Sequence, residues 1–213
     1  MDKKDLNYYS KTEEKLNVIT HGIGLLLSIV ALVFLTMKAL EIGSLNYMVS
    51  FTVFGISLIL LYGASTFYHI SIQPNIRAKF KILDHAAIYV LIAGTYTPFT
   101  LITLNGWIGW TILSAVWGVA LVGIFLKLFY TGRFKKISTI AYVVMGWIIV
   151  FAIIPLIEQL SLNGLLWLFS GGVLYTIGAV FYSMNKVKYN HAIFHVFVLL
   201  GSLFHFISIY FHV

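Results

Sequence analysis

The chain has 213 residues, 60% of them hydrophobic and only 10% charged, with a net charge of +7 and no cysteine. That composition, with a mean hydropathy of +0.94, excludes an ordinary water-soluble domain, whose helices need polar faces. The absence of thiols excludes disulfides, thiolate metal sites and a cysteine nucleophile.

The first dozen residues are polar and charged, so they do not read as a cleavable signal peptide, and insertion is expected to rely on the first spanning helix. Ser10 with Glu13 three residues on resembles a capping box and predicts a helix start at the membrane surface. Apolar runs follow near 18–38, 46–69, 83–104, 107–128, 137–157, 164–184 and 190–212. A run of roughly 20 residues matches a hydrocarbon core of about 30 Å. Turn chemistry separates the runs at Gly43 and Ser44, Pro74 and Asn75, Asn105 and Gly106, Gly132, Asn163 and Gly164, and Asn185 to Asn190. The expected fold is all-α, a single domain over 1–213 forming a polytopic seven-transmembrane-helix bundle. Residues 1–17 form its N-terminal segment, and no convincing internal repeat stands out.

Lys and Arg are retained on the cytoplasmic side of membrane proteins. Thirteen of the fourteen basic residues sort to one face, and Lys38 alone falls on the other. The pattern predicts a cytoplasmic N-terminus and an extracellular C-terminus. It also accounts for the positive charge, so no nucleic-acid partner is expected, and no protein partner is evident. The expected surroundings are membrane lipids, with a multi-pass location in a bacterial plasma membrane.

Six of the seven acidic residues fall in the N-terminal segment or in outer loops, while Asp84 opens the third run. A carboxylate at that depth is costly unless paired, hydrated or near a metal. The last run, NHAIFHVFVLLGSLFHFISIYFHV, places His191 and His195 four apart, on one helical face about one turn from each other. His69 closes the second run, four residues after Ser65. By topology these histidines share a depth with His21 and Asp84. A lone membrane histidine is most often an interhelical hydrogen bonder, but several at one level beside an intramembrane carboxylate are harder to dismiss. His69, His191 and His195 read as a three-histidine zinc site with a fourth position open to water. Asp84 is the expected catalytic base, and Ser65 the hydrogen-bond donor to the water or a developing oxyanion. Asn17 and His21, another four-spaced pair, are expected to hold a ligand or Asp84 in place. His85 is expected to point about 100° away from Asp84's direction, and His205, roughly 15 Å deeper than His195, cannot share the ion.

EEKLNVITHGIG, STFYH, LDHAAIYVLIAGTYTP and HAIFHV, in that order along the whole chain, resemble the hemolysin III family. That family lies within the progestin and adipoQ receptor superfamily, which includes the adiponectin receptors. The resemblance implies zinc held by His69, His191 and His195, with Asp84 and Ser65 near the metal-bound water. The superfamily is associated with lipid amide hydrolysis, is similar to alkaline ceramidases in its metal arrangement, and has bacterial members linked to membrane-lipid homeostasis. The leading expectation is therefore a zinc-dependent hydrolase of a membrane-lipid amide or ester. The alternatives are a cytolytic pore-forming protein, as the family name suggests, and a receptor or sensor whose zinc is structural. Pro98 is expected to make a tolerated kink.

Overall fold

The computed structural model describes residues 8–130, 135–184 and 186–213. Asp2, Lys3, Lys4, Asp5, Gly132, Arg133 and Asn185, to which the sequence assigned charge or turn roles, lie outside the described residues. The described chain is helical: α1 (Lys11–Ile42), α2 (Leu45–Ile70), α3 (Pro74–Pro98), α4 (Gly106–Tyr130), α5 (Lys135–Gly146), α6 (Ile153–Gln159), α7 (Leu162–Ser183) and α8 (Asn190–His212). A π-helical turn, Phe99–Thr103, extends α3, and a 3-10 segment, Ile148–Ala152, joins α5 to α6. Seven of the resulting spans are long and apolar enough to cross a membrane, and α5 through α6 form the fifth. Their outward faces carry large apolar side chains such as Leu26, Leu121, Phe125, Phe151 and Ile154, as contact with lipid requires.

Helix α1 begins where the capping box predicted. Ser10 Oγ accepts from the Glu13 N–H at 3.3 Å, and Gly43 ends the helix at φ +69°, a left-handed position that suits a residue without Cβ. Helices α1, α2 and α3 pack in sequence, and α8 lies between α7 and α1. The third span is the most deeply buried. Where α1 meets α2, a Cβ at Gly24 would stand 2.5 Å from Cδ1 of Tyr62. Tyr62 in turn donates to Ser202 Oγ at 2.7 Å, tying α2 to α8. Gly24→Ala is therefore expected to displace that ring and cost about 1–3 kcal/mol, the usual penalty of overpacking. Thermal unfolding in detergent checks this, and a midpoint equal to the native one contradicts it.

Three local outcomes differ from the sequence expectation. The third helix starts at Pro74, not near 83. Hydropathy marks only its apolar part, but Pro at the first position and the burial of Arg77 and Lys81 extend it over residues that had read as a loop. Pro98 makes more than a kink. The helix passes through it into the π turn, where Leu104 N–H donates to Phe99 O at 2.7 Å, and the Thr97 and Thr100 hydroxyls bond the Ala93 and Tyr96 carbonyls. The fifth span is broken at Trp147, a break that its uniform hydropathy concealed. Tyr96 Oη donates to the Gly146 carbonyl at 2.8 Å and accepts from Ile149 N–H at 2.8 Å. It thereby satisfies backbone groups that a membrane interior would otherwise strand.

Candidate metal centre

The end of α2 and the start of α8 meet at the same end of the bundle as the start of α1. His69 stands in the last turn of α2, while His191 and His195 occupy the first two turns of α8. All three are buried, and their ligand nitrogens lie within 4.8 Å of one another. His191 Nε2 is 3.2 Å from His69 Nε2 and 3.1 Å from His195 Nε2.

Protons decide what this arrangement can do. His69 Nδ1 lies 2.7 Å from Glu14 Oε2; a carboxylate only accepts, so Nδ1 carries the proton and Nε2 a lone pair. His195 Nδ1 faces Thr20 Oγ1 at 3.5 Å, and that hydroxyl's own proton goes to the Leu16 carbonyl. The network thus gives His195 the same tautomer. Two lone pairs then point at His191 Nε2, which can carry at most one proton and satisfy one of them. His191 Nδ1 is buried and makes no hydrogen bond among the described residues. Three imidazoles arranged this way repel one another unless a cation sits among their lone pairs, so the cluster can hold a metal ion.

The residues around it come chiefly from α1 and α3. Glu14 of α1 bonds His69 and also takes the guanidinium of Arg77. Arg77 of α3 reaches the Tyr68 carbonyl at 3.2 Å and the Ser71 carbonyl at 3.3 Å, with its guanidinium against the rings of Tyr8 and Tyr68. A carboxylate behind a histidine fixes its tautomer and raises its basicity. Asn17 Nδ2 is 3.4 Å from His69 Nδ1. Among the described residues His21 makes no hydrogen bond through its ring nitrogens, but it lies flat on His195, centroids 3.5 Å apart and planes 7° apart. Tyr9 stacks on His191 at 4.6 Å and covers the centre on that side.

Sequence reasoning left Glu14, Arg77 and Tyr9 out, reading the first two as surface charges. Part of the signal was present: Glu14, Asn17 and His21 are spaced by three and four, a polar stripe on the face of α1 that continues to the buried Gly24 and Ser28. Glu14→Gln is expected to weaken metal retention about 10- to 100-fold, the usual effect of losing such a hydrogen bond. Competition with a chelator measures it, and unchanged retention contradicts it.

Asp84 and Ser65 complete the expected set. Asp84 is 8% exposed and Ser65 is fully buried; the Asp84 carboxylate is directed at Ser65, with His69 and Lys81 nearby, while Ser65 Oγ completes no hydrogen bond among the described residues. His85, expected to point away, in fact turns back: its Nδ1 bonds the Lys81 carbonyl at 2.8 Å and lies 3.4 Å from Asp84 Oδ2. Asp84, His191 and His195 share the wall of one cavity of about 140 Å³, bounded chiefly by α3, α5, α7 and α8. The cavity is mostly apolar and runs down to Phe99 and His205. His205 bonds the Leu168 carbonyl at 3.2 Å and stands apart from the three-histidine cluster. His212, expected at the outer surface, pairs with Ser161 at the opposite end of the bundle.

The model of the family described as haemolysin-III related matches residues 9–206. The chain belongs to the haemolysin III family. It is 50% identical over 201 residues to Hemolysin-3 of Bacillus cereus, covering 94% of this chain and 92% of the relative. It is 50% identical over 200 residues to the Hemolysin-3 homolog of Bacillus subtilis (strain 168), covering 94% of each. A human protein, monocyte to macrophage differentiation factor, is 27% identical over 167 residues, 74% of this chain and 68% of its own. That likeness extends to the progestin and adipoQ receptor superfamily. As a member of the haemolysin III family with seven apolar helices, the chain is a multi-pass membrane protein, which in bacteria means the cell membrane.

Proposed function

We propose that this protein is a zinc-dependent hydrolase of a membrane-lipid amide or ester, working near the cytoplasmic leaflet. One observation carries the reading: two of the three convergent histidines, His191 and His195, and the buried carboxylate of Asp84 share the wall of a cavity that is mostly apolar. Tetrahedral zinc with nitrogens at about 2.0–2.1 Å needs them about 3.3 Å apart. The 3.2 and 3.1 Å separations of His191 from its two neighbours suit that demand, as does an all-nitrogen set without thiolate.

When bound there, zinc supplies a Lewis acid and makes water a stronger nucleophile at neutral pH. The remaining work falls to the chain. The apolar cavity takes the acyl chain and excludes bulk water. Asp84 accepts the proton of the attacking water and returns it to the leaving nitrogen or oxygen as the acyl bond breaks, so the products are a free carboxylic acid and an amine or alcohol. Ser65, buried beside Asp84, can donate to the acyl oxygen as charge develops. Glu14 and Arg77 keep His69 in its ligand tautomer, and His21 braces the His195 ring.

The test is turnover of defined lipid amides and esters by purified protein whose metal content has been measured. Hydrolysis should stop on chelation and return with zinc; a metal-loaded preparation that cleaves none of them sinks the reading. The name Hemolysin-3 borne by two relatives supports a second reading, direct lysis. Conduction needs a polar path, whereas the cavity here is lined mostly by apolar side chains, a lining that suits a lipid chain better. Dye release from liposomes, with zinc present and chelated, separates the two. A receptor in which the metal only clamps α2 to α8 would bind lipid without turnover.

A further inference from the structure

The cavity has a polar wall that the hydrolysis described above does not use. Lys127, in the last turn of α4, is only 5% exposed and lines the cavity that also holds Asp84, His191 and His195. Ser138, Thr139 and Tyr142, on one face of α5, line it too. Lys127 Nζ is 5.9 Å from the centroid of the Tyr142 ring, and the Tyr142 hydroxyl donates to the His85 carbonyl at 2.9 Å. Tyr89 of α3 bonds Ser138 and packs on Tyr142 at 4.5 Å. Its ring also fills the space a Cβ at Gly123 would need, at 2.4 Å, one turn before Lys127. Three helices therefore build and brace this corner.

An ammonium at the membrane boundary ordinarily snorkels to water, as the exposed Lys186 and Lys188 do. Lys127 is instead buried on the wall of the mostly apolar cavity, which the hydroxyl side chains of Ser138 and Thr139 also line. A cation with hydroxyl groups on the same cavity wall is a set that can receive phosphate oxygens. We propose that Lys127, Ser138 and Thr139 form the headgroup subsite of the cavity and bind the anionic phosphate of a lipid whose acyl chain lies along the apolar remainder. This deepens the hydrolase reading and rests on it for one point only, that the bound lipid is the substrate. The substrate class is then an anionic phosphate-bearing lipid, not a neutral or zwitterionic one.

The experiment is a binding measurement. Metal-loaded full chain is placed in nanodiscs of equal phosphatidylglycerol and phosphatidylcholine with matched acyl chains, and retained lipid is counted by native mass spectrometry. Wild type should retain phosphatidylglycerol preferentially. K127M and K127Q should lower that preference about tenfold, the worth of one charge-assisted hydrogen bond, while K127R and the exposed-site control K186M keep it. Metal content in each variant verifies the fold, and running two charge-removing variants avoids dependence on one. Preference unchanged in K127M and K127Q, or equally lost in K186M, overturns the proposal; so does release of the lipid by millimolar inorganic phosphate, which would mark a site for the free anion. Failure of every lipid to be cleaved while K127Q still loses phosphatidylglycerol defeats the hydrolase and leaves the subsite standing. Cleavage with unchanged preference does the reverse.

Discussion

His191→Ala is expected to yield a folded protein without its metal ion. His191 is the middle member of the cluster, with its Nε2 near both others, and its removal leaves His69 and His195 on separate helices. The loss should exceed the roughly 10- to 100-fold that follows removal of a supporting hydrogen bond. Metal binding to a folded centre is also folding free energy, about 4 kcal/mol when the free ion is at a thousand times its dissociation constant. The native protein should therefore melt higher with metal than without, and the variant should melt alike in both states. Elemental analysis after dialysis should fall from stoichiometric to background. Full retention by the variant would show that the three nitrogens do not share an ion.

Asp84→Asn is expected to leave the metal in place and remove turnover. The amide has nearly the shape of the carboxylate but cannot take a proton from water, and general-base catalysis contributes about 10²- to 10⁴-fold. Asp84 is not among the three converging ligands, so metal content should stay native while hydrolysis falls by that factor. A fall in both would recast Asp84 as a ligand or a structural residue. Native turnover would remove it from the mechanism. Beside His191→Ala, the pair separates metal holding from proton transfer, because each substitution should leave the other property's assay readable.

Much of the centre could be read from the chain because its chemistry contradicts its surroundings. His69, Asp84, His191 and His195 stand in apolar runs where titratable groups are costly, so each announces itself. Glu14 and Arg77 did not, because at a helix end near the membrane surface a charge has an ordinary explanation. Only the fold turns Glu14 towards His69 and buries Arg77 beneath Tyr8. His85 was misjudged for a related reason. The angular offset of adjacent residues places Cβ atoms, whereas the side chain bends back to within 3.4 Å of Asp84.

By itself the sequence determined the number of membrane crossings and where along its span each histidine stands, since hydropathy and helical rise depend only on residue order. The capping at Ser10 belongs with these, being a contact between residues three apart. Tertiary structure alone decided that α2 and α8 bring their histidines to about 3 Å of each other, that Glu14 sets the tautomer, and that the fifth span breaks at Trp147 around Tyr96. It also decided that Lys127 faces a cavity and not water. These depend on which faces of distant helices meet, and in spans apolar on nearly every side periodicity does not single out the inward face.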